Sequence, residues 1–103
     1  MSEPAPPRAF EPDDFFYRAI PEVYIDVKRR RLSPGAFSNT SHTDEMSVDW
    51  ALLSTAAETQ ARWDRPVAIG QFRKQVCDDL EQRCAYQPLP YNRAHCAVIG
   101  RKP

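Results

Sequence analysis

RLSPGAFSNTSHTDEMSVDW, residues 31–50, packs a turn, one of the chain's two histidines, many of its hydroxyls and a helix start into twenty residues. Ser33-Pro34-Gly35 is a turn signal, because proline fixes φ at the first central position and glycine takes φ > 0 freely at the second. Ala36-Phe37-Ser38 then reads as a short strand returning beside the one before the turn. Residues 39–45 contain no aliphatic side chain and read as a surface loop, which carries His42. Ser47 or Asp49 can serve as an N-cap, and Trp50, Leu53, Ala57 and Ala61 recur at the three-to-four spacing of one buried face. The spacing therefore predicts a helix over Asp49 to Arg62. Its N-terminal N–H groups would point at the His42 loop and favour negative groups there, a need that Asp44, Glu45 and Asp49 can meet themselves.

Upstream, Val23, Ile25 and Val27 alternate with Tyr24, Asp26 and Lys28, the period of a half-buried strand whose core face is the valine and isoleucine side. Lys28-Arg29-Arg30-Arg31 follows as the chain's concentrated run of positive charge. It reads as an exposed strand end or as an anion contact. Phe15, Phe16 and Tyr17 form an aromatic cluster before Arg18-Ala19-Ile20-Pro21. Asp13 and Asp14 suit a helical cap there, and a short strand ending at Pro21 fits equally. Arg18, inside an apolar run, is either a snorkelling side chain or a cation held to grip an anion. Four of the ten prolines fall in the first dozen residues, so 1–12 reads as a Pro-rich flexible arm and 13–103 as a single domain.

Downstream, Pro66 to Ile69 is a short strand ended by Gly70. Phe72, Val76, Cys77, Leu80 and Cys84 share one side of a predicted amphipathic helix over Gln71 to Arg83. Pro88-Leu89-Pro90-Tyr91-Asn92 is an extended approach to a closing strand, His95 to Ile99. Strands mixed with two short amphipathic helices give an α+β fold with a small mixed or antiparallel sheet.

Composition bounds the function. Lysine plus arginine equal aspartate plus glutamate at 14 each, so no global positive field draws nucleic acid. No apolar run approaches the about 20 residues of a membrane span, and the first residues lack a secretory pattern, which makes the cytoplasm the expected compartment. Three cysteines suit reduced thiols there. Cys77, Cys84, His95 and Cys96 are the conceivable zinc ligands, but the short-spaced Cys-x-x-Cys pair of structural zinc sites is missing, so no metal and no cofactor is expected.

The polar residues that can carry chemistry are Arg18, Ser33, Ser38, His42, Ser47, Asn92 and His95. Arg18, His42 and His95 are the catalytic candidates; Arg18, Ser33, Ser38, Ser47, Asn92 and His95 are the ligand-binding ones. A nucleophilic mechanism needs serine or cysteine beside a histidine oriented by a third group. Cys96 beside His95 does not supply this, because adjacent strand residues point to opposite faces. Gly-x-Ser-x-Gly, His-Glu-x-x-His and Gly-rich phosphate loops are all missing. His95 opens an apolar strand and is either a hydrogen-bonded structural residue or a general base; Asn92, three residues earlier, either fixes it or caps the local turn. His42 has no evident partner. A two-histidine acid and base pair requires both rings to meet at one phosphate.

Phe-Tyr-Arg at 16–18, Arg-Leu-Ser-Pro-Gly-Ala-Phe-Ser at 31–38, Met-Ser-Val-Asp at 46–49 and Asn-Arg-Ala-His-Cys-Ala-Val-Ile-Gly at 92–100 resemble a set of small uncharacterised bacterial proteins. That resemblance implies a bacterial cytoplasmic origin and names no activity. The order of Arg18, a hydroxyl and aromatic on the next strand, and a late closing strand is also faintly similar to ADP-ribosyltransferase-like toxins. On that likeness Arg18 would grip the NAD pyrophosphate and Ser33 or Ser38 would lie near the nicotinamide ribose, while residues 95–98 lack the late glutamate of those enzymes. The expected function is a binding or interaction module for a protein partner, a second copy of the chain, or a small anionic ligand. The alternative is an NAD- or RNA-directed toxin-like enzyme, such as a toxin-antitoxin component.

Overall fold

The computed structural model describes residues 5–32, 34–40 and 42–102. In chain order its strands are β1 (Phe15–Pro21), β2 (Ile25–Asp26), β3 (Arg31–Leu32), β4 (Glu45–Trp50), β5 (Val67–Arg73), β6 (Arg83–Tyr86) and β7 (His95–Ile99). Its helices are α1 (Ala56–Ala61) and α2 (Lys74–Asp79). Five strands form one sheet in the order β5-β1-β4-β7-β6, and every neighbouring pair is antiparallel. The architecture is the α+β one read from the sequence, and the sheet is antiparallel rather than mixed.

Residues 45–50 decide this arrangement, and they form a strand that runs on through Asp49 and Trp50, where the sequence spacing predicted the start of a helix. Met46, Val48 and Trp50 alternate with Ser47 and Asp49, and the apolar set is buried while Ser47 is exposed. Hydrogen-bonded pairing to β7 on one side and β1 on the other fixes the strand at the centre of the sheet. Long-range pairing thus overrides the local capping signal, because a central strand buries a full apolar face. The helix begins only at Ala56. Thr55 Oγ1 accepts from the Glu58 N–H and Glu58 Oε1 accepts from the Thr55 N–H, both at 3.1 Å, a reciprocal capping box. Ala57 and Ala61 are exposed, and Thr59 is the buried residue of α1.

Four other boundaries differ. Val23 and Val27 are both 81% exposed, and a 3-10 turn over Glu22–Tyr24 replaces most of the predicted strand. Only Ile25 and Asp26 pair, with Leu32 and Arg31, in a small hairpin separate from the main sheet, so no neighbouring strand covers the valine side. The basic run at its tip is exposed, as the sequence indicated. Residues 34–37 form a second 3-10 turn instead of a returning strand. Gly70 continues β5 rather than ending it, opposite Arg18. A Cβ there would meet Ile20 Cδ1 at 2.8 Å and Phe37 Cζ at 3.2 Å, so glycine permits this close approach. The following helix is correspondingly shorter than expected, with Phe72 on the strand and Val76 and Leu80 about half exposed.

One sheet face carries the core: Phe16, Met46, Val48, Trp50, Cys96 and Val98, covered by Cys77 of α2. Phe10 joins it, with its ring centroid 4.5 Å from Trp50 and 5.6 Å from Phe16. Arg8 lies over the Trp50 ring at 5.4 Å and donates to the Asp14 carboxylate, so the stretch from Arg8 to Pro12 is packed on the domain. The guanidinium holds the Asp14 carboxyl below its ordinary range. Among the described residues no helix is long and apolar enough to cross a membrane.

Candidate functional site

Strand alternation sends Met46, Val48 and Trp50 into the core and therefore turns Ser47 and Asp49 to the opposite face. His95 of β7 sits directly across from Asp49, and Tyr17 of β1 across its other side, so a polar row crosses three adjacent strands. Thr59, Arg62 and Trp63 from α1 and the turn after it wall one side of this row. Leu89, Tyr91 and Asn92, from the connection before β7, wall the other, and together they enclose a groove of about 490 Å³.

His95 is held by a main-chain acceptor. Its Nδ1 lies 2.8 Å from the Gln87 carbonyl oxygen, which can only accept, so Nδ1 carries the proton. Nε2 is then the acceptor, and the Ser47 hydroxyl, 3.2 Å away, donates to it. The tautomer follows from this network. Ser47 is exposed to the groove and His95 is half-buried.

Beside this pair lies a closed polar cluster. Asp49 is 6% exposed and accepts from Thr59 Oγ1 at 2.8 Å, from Arg62 Nη1 at 2.5 Å and from Asn92 Nδ2 at 2.8 Å. Arg62 Nη1 also donates to Ser54 Oγ at 3.0 Å. Asn92 therefore anchors Asp49, and its Oδ1 and main-chain carbonyl accept from the Ala94 and His95 N–H groups, so it caps the turn before β7, one of the two roles the sequence left open; the group that orients the His95 ring is the Gln87 carbonyl.

Arg18 fills a gap in the sheet. β1 pairs with β4 only at Phe16↔Trp50 and Tyr17↔Asp49, and beyond them the guanidinium takes over. It donates to the carbonyl oxygens of Ser47 at 2.9 Å, Ser38 at 3.3 Å and Ala36 at 3.4 Å. Burial lowers its pKa, an effect that Tyr24 partly offsets, yet arginine keeps its charge in proteins. Among the described residues no carboxylate forms an ion pair with it.

Of the residues singled out from the sequence, Arg18, Ser47, Asn92 and His95 all line the groove. Ser38 meets Arg18 through its carbonyl oxygen but is not in the lining. His42 stands exposed with φ 63° and also lies outside the lining, so the two histidines do not share this groove. Ser33 falls outside the described residues. Cys96 and His95 point to opposite faces as expected: Cys96 is fully buried and its thiol is pushed up to about 12 by burial. The shared hydrogen bond with Cys77, together with burial, holds the Cys84 thiol protonated well above its ordinary range. Both lie on the core side, away from His95, and among the described residues no three His, Cys, Asp or Glu side chains gather as a metal site would require.

Tyr17, Asp49, Thr59, Arg62 and the Gln87 carbonyl were missed. Reading Met46 to Trp50 at period two would have put Ser47 and Asp49 on one face and drawn in their cross-strand neighbours. No protein-family model matches the chain, and no curated protein or solved structure shows significant similarity to it.

Proposed function

We propose that the protein is a binding domain that takes a small anionic ligand in the groove over β1, β4 and β7. The observation that carries this reading is Arg18, a half-buried guanidinium beside Ser47 with no carboxylate ion pair among the described residues. Desolvating a charge is costly unless an opposite charge is supplied, so an incoming anion gains from this position. Two arginines against one aspartate leave the lining one positive charge in excess. The Ser47 hydroxyl, the His95 ring and the Asn92 amide add polar contacts. Tyr17, Trp63 and Tyr91 give the apolar walls that small-molecule sites favour, and the volume falls within the range of such sites. The aromatic and Pro-rich arm, the alternative surface for a protein partner, spends Phe10 on Trp50 instead. Three unpaired thiols fit a reducing, cytoplasmic setting.

Thermal unfolding in the presence of inorganic phosphate and small monocarboxylates tests the reading. An anion at about tenfold its Kd adds about 1.4 kcal/mol to stability, which raises Tm by about 5–10 °C in a domain of this size. Ser47→Asp places a negative charge at an exposed groove position and is expected to abolish the shift while leaving the fold intact. Equal shifts in wild type and S47D, or no shift with any of these anions, would contradict it.

A further inference from the structure

We propose that Ser47 is a nucleophile, with His95 as its general base, for acyl transfer from small carboxylic esters. This deepens the groove reading and rests on it: the acid released is itself a small anion of the kind the lining favours. The argument is geometric. A serine is a weak nucleophile unless a base accepts its proton, and the base must be held in the right tautomer by a third group. All three parts are present. The Gln87 carbonyl fixes Nδ1–H at 2.8 Å, Nε2 faces the Ser47 hydroxyl at 3.2 Å, and the hydroxyl is exposed where a ligand would enter. Two antiparallel strands supply the pair, with Ser47 opposite Ala97 and His95 opposite Asp49, so both backbones are fixed by the sheet ladder.

The remaining requirement is positive charge where the carbonyl oxygen becomes negative. Arg18 is tied to Ser47 through the 2.9 Å bond to its carbonyl oxygen, and three of its five N–H groups are directed at main-chain oxygens, which leaves two. In the first step Ser47 Oγ bonds to the acyl carbon while its proton passes to His95 Nε2. The ester C–O bond then breaks and the leaving alcohol takes that proton. Water, deprotonated by His95, attacks the acyl-serine, and release of the carboxylic acid returns the proton to Ser47. No oxidant, reductant or metal enters the balance. Among the described residues no hydrogen bond joins Asp49 to the imidazole across the strand pair; its oxygens accept from Thr59, Arg62 and Asn92.

Diisopropyl fluorophosphate tests the nucleophile directly, since attack forms a Ser–O–P bond, expels fluoride and leaves a stable adduct. Intact-mass spectrometry of the full chain should show one diisopropylphosphoryl group, mapped by peptide sequencing to Ser47, and Ser47→Ala should remain unlabelled. His95→Ala should slow labelling by about 100-fold or more, the usual contribution of a general base. His95→Gln serves as the folded control if the alanine variant melts early, and it should be slowed equally. An adduct on Tyr17 or Tyr91, or labelling at Ser47 that is unaffected by either His95 variant, overturns the proposal. Phosphate-dependent Tm shifts separate the two readings: a wild-type protein that is stabilised by phosphate but never labelled refutes the nucleophile and leaves the anion site standing.

Discussion

Trp50→Ala is expected to cost about 3–5 kcal/mol, the usual range for deleting a large aromatic from a core, against a total stability of about 5–15 kcal/mol for a domain of this length. Trp50 is fully buried at the end of the central strand β4 and belongs to the core cluster, with Phe10 at 4.5 Å, Tyr86 at 6.1 Å and the Arg8 guanidinium above its ring. Removing the indole also frees Phe10 and so loosens the segment from Arg8 to Pro12. Trp50→Phe is expected to cost much less. Among the described residues the indole Nε1–H makes no hydrogen bond of ordinary geometry, although it lies close enough to the Asp14 carboxylate to help lower it, so phenylalanine removes a donor that was not well satisfied. Urea unfolding of both variants checks this. A Phe variant as unstable as the Ala variant would show that the N–H matters more than the ring.

Asp49→Ala is expected to cost about 3 kcal/mol, near the lower end of what breaking a buried ion pair entails, because it strands partners rather than a single bond. Arg62 would lose its counter-ion and Asn92 the acceptor for its Nδ2. Arg62 is 28% exposed in its side chain and partly rehydrates, which keeps the cost from the upper end of that range. The same change loosens both groove walls, since Thr59 and Arg62 hang from one side of the carboxylate and Asn92 from the other. Stability and phosphate-induced Tm shift should therefore fall together. Thr59→Val, which removes the hydroxyl bonded to the Asp49 carboxylate and to Ser54 Oγ but leaves Asp49 and Arg62 paired, should cost about 1.5–2 kcal/mol. Chemical denaturation of D49A and T59V gives the comparison, and a D49A cost no larger than that of T59V would contradict the cluster's role as the groove's hinge.

How much of this was legible can be traced residue by residue. His95 to Ile99 was readable as a strand because its apolar residues are continuous and bounded by Gly100, whereas the Thr55-x-x-Glu58 capping box that sets the true helix start was passed over for Ser47 and Asp49. Residues 45–50 carry two signals: the caps and the Trp50, Leu53, Ala57, Ala61 spacing led to a helix from Asp49, and the alternation of Met46, Val48 and Trp50 that marks a strand went unread. What resolves the ambiguity is pairing with β7, some fifty residues away, which no local window contains. The misreading also hid the site, since a helix would have scattered Ser47 and Asp49 that a strand aligns. Val23 and Val27 show the opposite failure, a correct alternation with no sheet beside it to bury the valines. Arg18, Ser47, Asn92 and His95 were visible as candidates by residue type. The Gln87 carbonyl was not, because a main-chain acceptor has no signature in sequence, and neither was the parting of β1 from β4 that gives Arg18 its place.

Among the described residues the two competing candidates for the proposed anion site are the groove over the sheet and the exposed Lys28-Arg29-Arg30-Arg31 run at the tip of the small hairpin. A phosphate titration followed by two-dimensional 1H–15N NMR distinguishes them in a single experiment. The groove account predicts that the largest shifts fall on the Tyr17, Ser47 and His95 amides and the His95 ring nitrogens, saturating together. Largest shifts at residues 28–31, with the groove resonances unmoved, would contradict it.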